Sequence, residues 1–260
     1  KGRIRRIMFE GNSAFNDKTL RETLFTKEEW ILSALDKTGT YHPERLEADK
    51  HMVEQFYQNH GYLQAKVLEV KTKLEPESNI MDLVFVVEEG PAYTFGTIET
   101  PGNEILPSKV LATQVPIKPG QPYSREMITN SMKRLENLWG SLGYIFAHVE
   151  PSMDIDEEHK TVNISFISDI GKQIKLNLIT IRGNKKTRDK VIRRRLSLRE
   201  GAPLTQTQMD LSKNNVSNLG YFEQQYGVNW KIKRVDEETA DLDLMLKEAK
   251  TGHANVQLGF

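Results

Sequence analysis

QNHGYLQAKV, residues 58–67, closes a charged amphipathic stretch with a glycine and a tyrosine and then passes into alternating, strand-like sequence. SLGYIFAHV at 141–149 and NLGYFEQQYGV at 218–228 do the same. Glycine lacks Cβ and takes the left-handed conformation without a clash, so a glycine just past an amphipathic helix ends it. The three passages predict three helix stops, with Gly61, Gly143 and Gly220 left-handed and Tyr62, Tyr144 and Tyr221 packed back on the helix–strand junction. A second landmark keeps step with the first. Gly-Asn pairs at 11–12, 102–103 and 183–184 follow the β-like runs IRRIMFEGN, YTFGTIETPGN and IKLNLITIRGN, and precede their Gly-Tyr pairs by 50, 41 and 37 residues. The chain is written as a threefold repeat, which decides the fold before any single element does.

The segments between the landmarks fill in the unit. Ile128, Met132, Leu135, Leu138, Trp139 and Leu142 recur at helical spacing, and Leu46, Val53, Phe56 and Tyr57 draw a comparable stripe. Pro43 suits a first helical turn, Ser124 can cap, and Thr205 with Gln208 forms a T-x-x-Q capping box. A shorter helix is expected after each Gly-Asn, in DKTLRETLF, PSKVLATQ and RDKVIRRRL. After each Gly-Tyr come two β-like runs around a polar turn: AKVLEVKTKL and IMDLVFVVEEG, AHVEPSM and KTVNISFISDIG, GVNWKIKRV and ADLDLMLKEA. The fold class is α+β: three tandem β-α-α-β-β domains, each a small three-stranded mixed sheet covered by two helices. Their expected bounds are 1–92, 93–171 and 172–249, with 250–260 left over.

Composition removes several kinds of chemistry. No cysteine is present, so disulfides, thiolate metal sites and a cysteine nucleophile are excluded, and cysteine-free sequence fits a bacterial envelope protein. The longest purely apolar run, Leu83–Val87, is far below the ~18 residues of a membrane-spanning helix. The opening KGRIRRIMFEGN lacks the apolar core of a signal peptide and reads as the start of a fragment of a longer protein. Histidines 42, 51, 60, 148, 159 and 253 show no metal-ligand spacing, and DIDEEH at 154–159 puts His159 where a calcium loop needs glycine, so it reads as a hairpin turn. GSLG at 140–143 has the G-x-x-G pattern of a nucleic-acid clamp but carries no basic residue and is better read as a helix end. No enzyme, cofactor, metal or nucleic-acid role is expected.

The β-α-α-β-β order with its two glycine landmarks resembles the POTRA (polypeptide-transport-associated) domain. KEAKTGHANVQLGF, 247–260, is similar to the passage from the last such domain into the first strand of a membrane β-barrel, with Val256, Leu258 and Phe260 alternating as lipid-facing residues would. The long first unit, with its extra TKEEWILSALDKTGTYHP at 26–43, resembles the third of five domains in the outer-membrane β-barrel assembly factors, which makes the next two resemble the fourth and fifth. The resemblance implies the periplasmic part of a bacterial outer-membrane protein. It implies a non-enzymatic, chaperone-like scaffold whose partners are unfolded outer-membrane clients and accessory outer-membrane lipoproteins, BamD-like and BamB-like. The alternatives are the POTRA region of a related transport barrel, such as TamA or a protein-secretion transporter, and a free-standing basic-surface binding module.

Two candidate sites follow. POTRA sheets resemble one another in placing the first strand of the hairpin at an edge, where an extended client can add as another strand. The first domain offers ten residues without proline or glycine, so Lys66, Val67, Leu68, Glu69, Val70, Lys71 and Thr72 are the expected client edge. Pro151 is expected to leave the second domain's edge short or bent, and Lys231, Lys233 and Arg234 to discourage pairing on the third. The other site is electrostatic. Residues 1–92 carry 13 basic against 16 acidic side chains and 93–171 carry 6 against 10, but 172–249 carry 16 against 10. Within that third unit Arg188, Lys190, Arg193, Arg194, Arg195 and Arg199 cluster on a predicted helix, as a docking surface for an acidic protein or anionic lipid headgroups.

Overall fold

The computed structural model describes residues 2–28 and 40–250. The elements are β1 (Arg3–Glu10), α1 (Asp17–Thr23), α2 (Pro43–Gln58), β2 (Lys66–Glu75), β3 (Ile80–Glu88), β4 (Thr94–Glu99), α3 (Ser108–Ala112), α4 (Arg125–Ser141), β5 (His148–Asp156), β6 (Thr161–Asp169), β7 (Lys175–Arg182), α5 (Asp189–Arg193), α6 (Gln206–Ser217), β8 (Val228–Arg234) and β9 (Thr239–Leu246). They form three three-stranded sheets, ordered β1-β3-β2, β4-β6-β5 and β7-β9-β8. In each the opening strand runs parallel to the central one. In the first and third sheets the hairpin partner is antiparallel to it. By contacts the chain forms two compact units: residues up to Met132 with Pro151–Phe166, and Lys133–Glu150 with residues from Ile167 onward.

Period-two burial fixes which face of each central strand is covered. Met81, Leu83, Phe85 and Val87 are buried in alternation along β3, as are Val162, Ile164 and Phe166 along β6. The second helix of each repeat lays down a stripe: Leu46, Asp49, Val53 and Tyr57 on α2, Ile128, Ser131, Leu135 and Trp139 on α4, Met209, Ser212 and Val216 on α6. Each stripe therefore contains one polar residue, and Asp49, Ser131 and Ser212 are all fully buried. Sequence periodicity does not find them, since a polar side chain reads as the solvent face. Conversely Leu142, expected on the α4 stripe, is 38% exposed. The helix stops just before it, so it no longer follows the helical face.

The helix signals hold. Thr205 Oγ1 accepts from the Gln208 amide at 3.2 Å and Ser124 Oγ from the Met127 amide at 3.3 Å. Gly61, Gly143 and Gly220 have φ of 100°, 96° and 74°. Tyr62 and Tyr144 pack back edge-to-face, on Tyr57 at 5.6 Å and on Trp139 at 5.8 Å. Tyr221 departs from this expectation: it is 53% exposed, and the neighbouring Phe222 fills the core instead, against Val216 and Leu246. The third repeat turns one residue later. Residues 29–39 of the long first unit, and Val256, Leu258 and Phe260, lie outside the described residues.

Candidate functional site: sheet edges and a basic helix end

Lys66–Thr72 lie on β2, and β2 is hydrogen-bonded on one side alone among the described residues, to β3. The direction of its outer groups follows from alternation. Ile7 turns its amide away from the sheet, to Glu28 Oε1 at 2.9 Å, and stands opposite Leu83. In a parallel ladder that makes Leu83 face β1, so Val84 faces β2 and bonds Lys71, its registered partner. Val70, Thr72 and Leu74 then point their N–H and C=O groups outward. The strand is bulged between Val67 and Glu69, and the Val67 amide is used internally, by Glu54 Oε1 of α2 at 3.1 Å. Leu68 and Leu74 are 58% and 48% exposed. The face away from the helices is charged: Arg5 reaches Asp82 at 2.7 Å and Glu75 at 2.9 Å, and Lys71 reaches Glu10 at 3.2 Å. The Arg5 guanidinium, hydrogen-bonded to Asp82, holds that carboxyl below the usual carboxylate range.

The opening strands are not equally available. Each begins against the loop that leads into its second helix, with Arg3 bridged to Thr40, Thr94 to Pro122 and Lys175 to Pro203. On the hairpin side, β5 corrects an expectation. It runs nine residues, through Pro151, and is longer than the seven-residue β8. Proline is tolerated on an edge strand wherever its missing N–H would have faced outward.

All six residues of the basic cluster, Arg188, Lys190, Arg193, Arg194, Arg195 and Arg199, are exposed. Arg188 is the N-cap of α5, Lys190 and Arg193 lie in the helix, and Arg194 is its C-cap. Arg195 and Arg199 fall in the segment beyond. Arg193 differs from the rest because its guanidinium is already committed, to Asp189 at 2.8 Å and to the Ile179 carbonyl at 3.0 Å.

The Gly-Tyr landmarks have a second use that sequence reasoning missed. The Gly61 carbonyl accepts the Tyr93 amide at 2.7 Å, and the Gly143 carbonyl accepts the Ile174 amide at 3.0 Å. Each helix stop is thus bonded to the residue that opens the next repeat. At the first of these joints Asn59 Oδ1 accepts the Glu126 amide at 2.9 Å, capping α4 from the preceding repeat, beside a 460 Å³ cleft lined by Phe15, His60 and Pro122 among others. DIDEEH ends β5 and enters the β5–β6 turn, closed by Asp156, which accepts the amides of Glu158 and His159. Those bonds and the His159 ring hold the Asp156 carboxyl low. Among the described residues no group of acidic and histidine side chains is arranged to hold a metal ion, and no helix is long and apolar enough to cross a membrane.

A repeated β-α-α-β-β unit with mixed sheets, joined helix stop to opening strand, defines the class. The POTRA family, described as a surface antigen variable number repeat, matches residues 2–90, 93–167 and 174–248, and the chain belongs to it. Its relatives are more particular. It is 30% identical over 264 residues to the outer membrane protein assembly factor BamA of Neisseria meningitidis serogroup B, covering 99% of this chain and 32% of that protein. It is 29% identical over 258 residues to BamA of Neorickettsia risticii, covering 99% of this chain and 34% of that protein. The chain thus spans about a third of the length of these relatives. The crystal structure of Haemophilus influenzae BamA POTRA3-5 shares the fold, with a TM-score of 0.79 at 21% identity over 95% of this chain and 96% of that one.

Proposed function

We propose that the chain is the periplasmic POTRA region of an outer-membrane β-barrel assembly factor, a non-enzymatic scaffold. Its domains are bounded near 92/93, 171/172 and 249/250, with the barrel following. Unfolded outer-membrane clients add as a strand along β2, and accessory lipoproteins or anionic headgroups dock on the exposed basic residues on and around α5, chiefly Arg188, Lys190, Arg194, Arg195 and Arg199. The observation that carries the reading is the outward row of Val70, Thr72 and Leu74 on a ten-residue edge strand. Backbone pairing of this kind ignores client side chains, as a general assembly machine requires.

The test is an NMR titration of the intact chain with a synthetic peptide that carries the alternating apolar and polar residues of a barrel strand. Shifts are expected along Lys66–Glu75. Val70→Pro removes one outward donor and no sheet bond, and should weaken capture by roughly fivefold or more. Shifts confined to β5 would move the client site to the second repeat and overturn this assignment.

For the basic surface the informative variant is Arg194→Glu with Arg195→Glu, leaving Arg193 in place. Binding to vesicles containing anionic lipid should fall by about tenfold or more, and added salt should mimic the loss. Unchanged binding would make these arginines an ordinary solvated surface.

A further inference from the structure

The edge of a sheet attracts any extended chain, so a scaffold that accepts a strand at one edge has to refuse it at the other. In the first and third repeats the opening strand carries the same device. The Ile7 amide donates to Glu28 Oε1 at 2.9 Å, and Arg21 Nη1 donates to the Ile7 carbonyl at 3.2 Å. The Ile179 amide donates to Glu200 Oε1 at 3.0 Å, and Arg193 Nη2 donates to the Ile179 carbonyl at 3.0 Å. In both the arginine follows the isoleucine by 14 residues and the glutamate by 21. Arginine and glutamate also face each other, at 4.0 Å in either pair. One side chain supplies an acceptor, the other a donor, and together they occupy both groups that a new strand would use at that residue. Asp17 Oδ2 takes the next outward amide of β1, that of Phe9, at 3.3 Å.

The middle repeat lacks the device. Ile98 holds the equivalent register, opposite Ile164 as Ile7 stands opposite Leu83 and Ile179 opposite Leu242. The same spacings there fall on Ala112 and Pro119, which have neither an acceptor nor a donor in the side chain.

We propose that Arg21–Glu28 and Arg193–Glu200 are edge seals, which restrict addition of an extended polypeptide in the first and third repeats to the hairpin strand. The partner in this proposal rests on the strand-addition reading above; the seal itself does not. The seal also removes Arg193 from the docking surface, which is why a reversal that includes it would disturb the sheet as well as the charge.

Amide hydrogen exchange on the intact chain reads the seal directly. Ile7 and Ile179 should exchange more slowly than Ile98. Glu28→Ala should accelerate Ile7 by roughly fivefold to tenfold, the loss of one hydrogen bond, while Glu28→Gln, which keeps an acceptor oxygen, restores most of the protection. With Arg21→Ala and Glu28→Ala combined, peptide-induced shifts should spread from β2 to Arg6–Glu10. Exchange at Ile7 that Glu28→Ala leaves unchanged would overturn the seal, and so would peptide shifts that stay on β2 in the double variant. A wild-type chain whose β2 ignores the peptide, with Ile7 still accelerated by Glu28→Ala, would sink the client reading and leave the seal standing.

Discussion

Gly183→Ala should destabilise the third repeat by about 3 kcal/mol or more, and Gly11→Ala the first by as much. Both glycines have positive φ, 88° and 84°, which alone costs an L-residue about 1–2 kcal/mol. The larger part is steric. A Cβ on Gly183 would sit well inside the contact distance of the Leu246 carbonyl oxygen, and one on Gly11 inside that of Val87. Neither carbonyl can step aside easily, because each belongs to the central strand of its sheet, with Leu246 of β9 registered against Val228 and Val87 of β3 against Val67. Gly201 supplies the control: its φ is 83°, yet a Cβ there would meet nothing within 4 Å. Gly201→Ala should therefore cost only the backbone part. Denaturant unfolding followed by NMR signals of each repeat separates the two contributions. Equal destabilisation by Gly183→Ala and Gly201→Ala would mean that the close approach of the turn to the central strand contributes nothing.

These glycines also show what the sequence makes legible. The Gly-Asn and Gly-Tyr landmarks mark places where the backbone itself demands glycine, so the demand is written in one letter and survives repetition. Alternation along β3 and β6 and the caps at Ser124 and Thr205 are equally local, and a reader of the sequence finds them. What escapes is whatever joins residues far apart. The Arg21–Glu28 pair around Ile7 is two isolated charges until the sheet places them on one edge. The bonds from Gly61 to Tyr93 and from Gly143 to Ile174 are invisible for the same reason. Pro151 misleads in the other direction: the sequence places its strand at an edge but does not say which way the missing N–H would face, and β5 runs straight through it. The proposed client edge is half legible: its length and composition can be read, but not that the Val67 amide is taken by Glu54 while Val70 faces out.

Asp49 is the sharpest case of a residue hidden by its own polarity, and its replacement should have the second large effect. In the sequence it looks like part of the charged face of α2, yet it is fully buried. Its carboxylate holds the chain where α1 ends, accepting the Phe25 amide at 2.6 Å and the Thr26 amide at 3.2 Å. The third repeat does the same with a smaller group, as Ser212 Oγ accepts the Ser197 amide at 2.9 Å. In the second, Ser131 turns its hydroxyl to the Met127 carbonyl of its own helix. Asp49→Ala would leave two donors without a partner, one of them in Thr26, which is 2% exposed and has no water to replace the bond. At about 1–3 kcal/mol for a desolvated, unpaired group, a loss of about 3 kcal/mol in the first repeat is expected. Asp49→Asn keeps one acceptor oxygen at the same reach and should lose about half of that. The amides of Phe25 and Thr26 report the cause: their exchange should quicken in Asp49→Ala well beyond the change at Leu83 in the sheet. A uniform increase across the first repeat, with Asp49→Asn as damaging as Asp49→Ala, would assign the effect to lost charge or packing and not to the anchored turn.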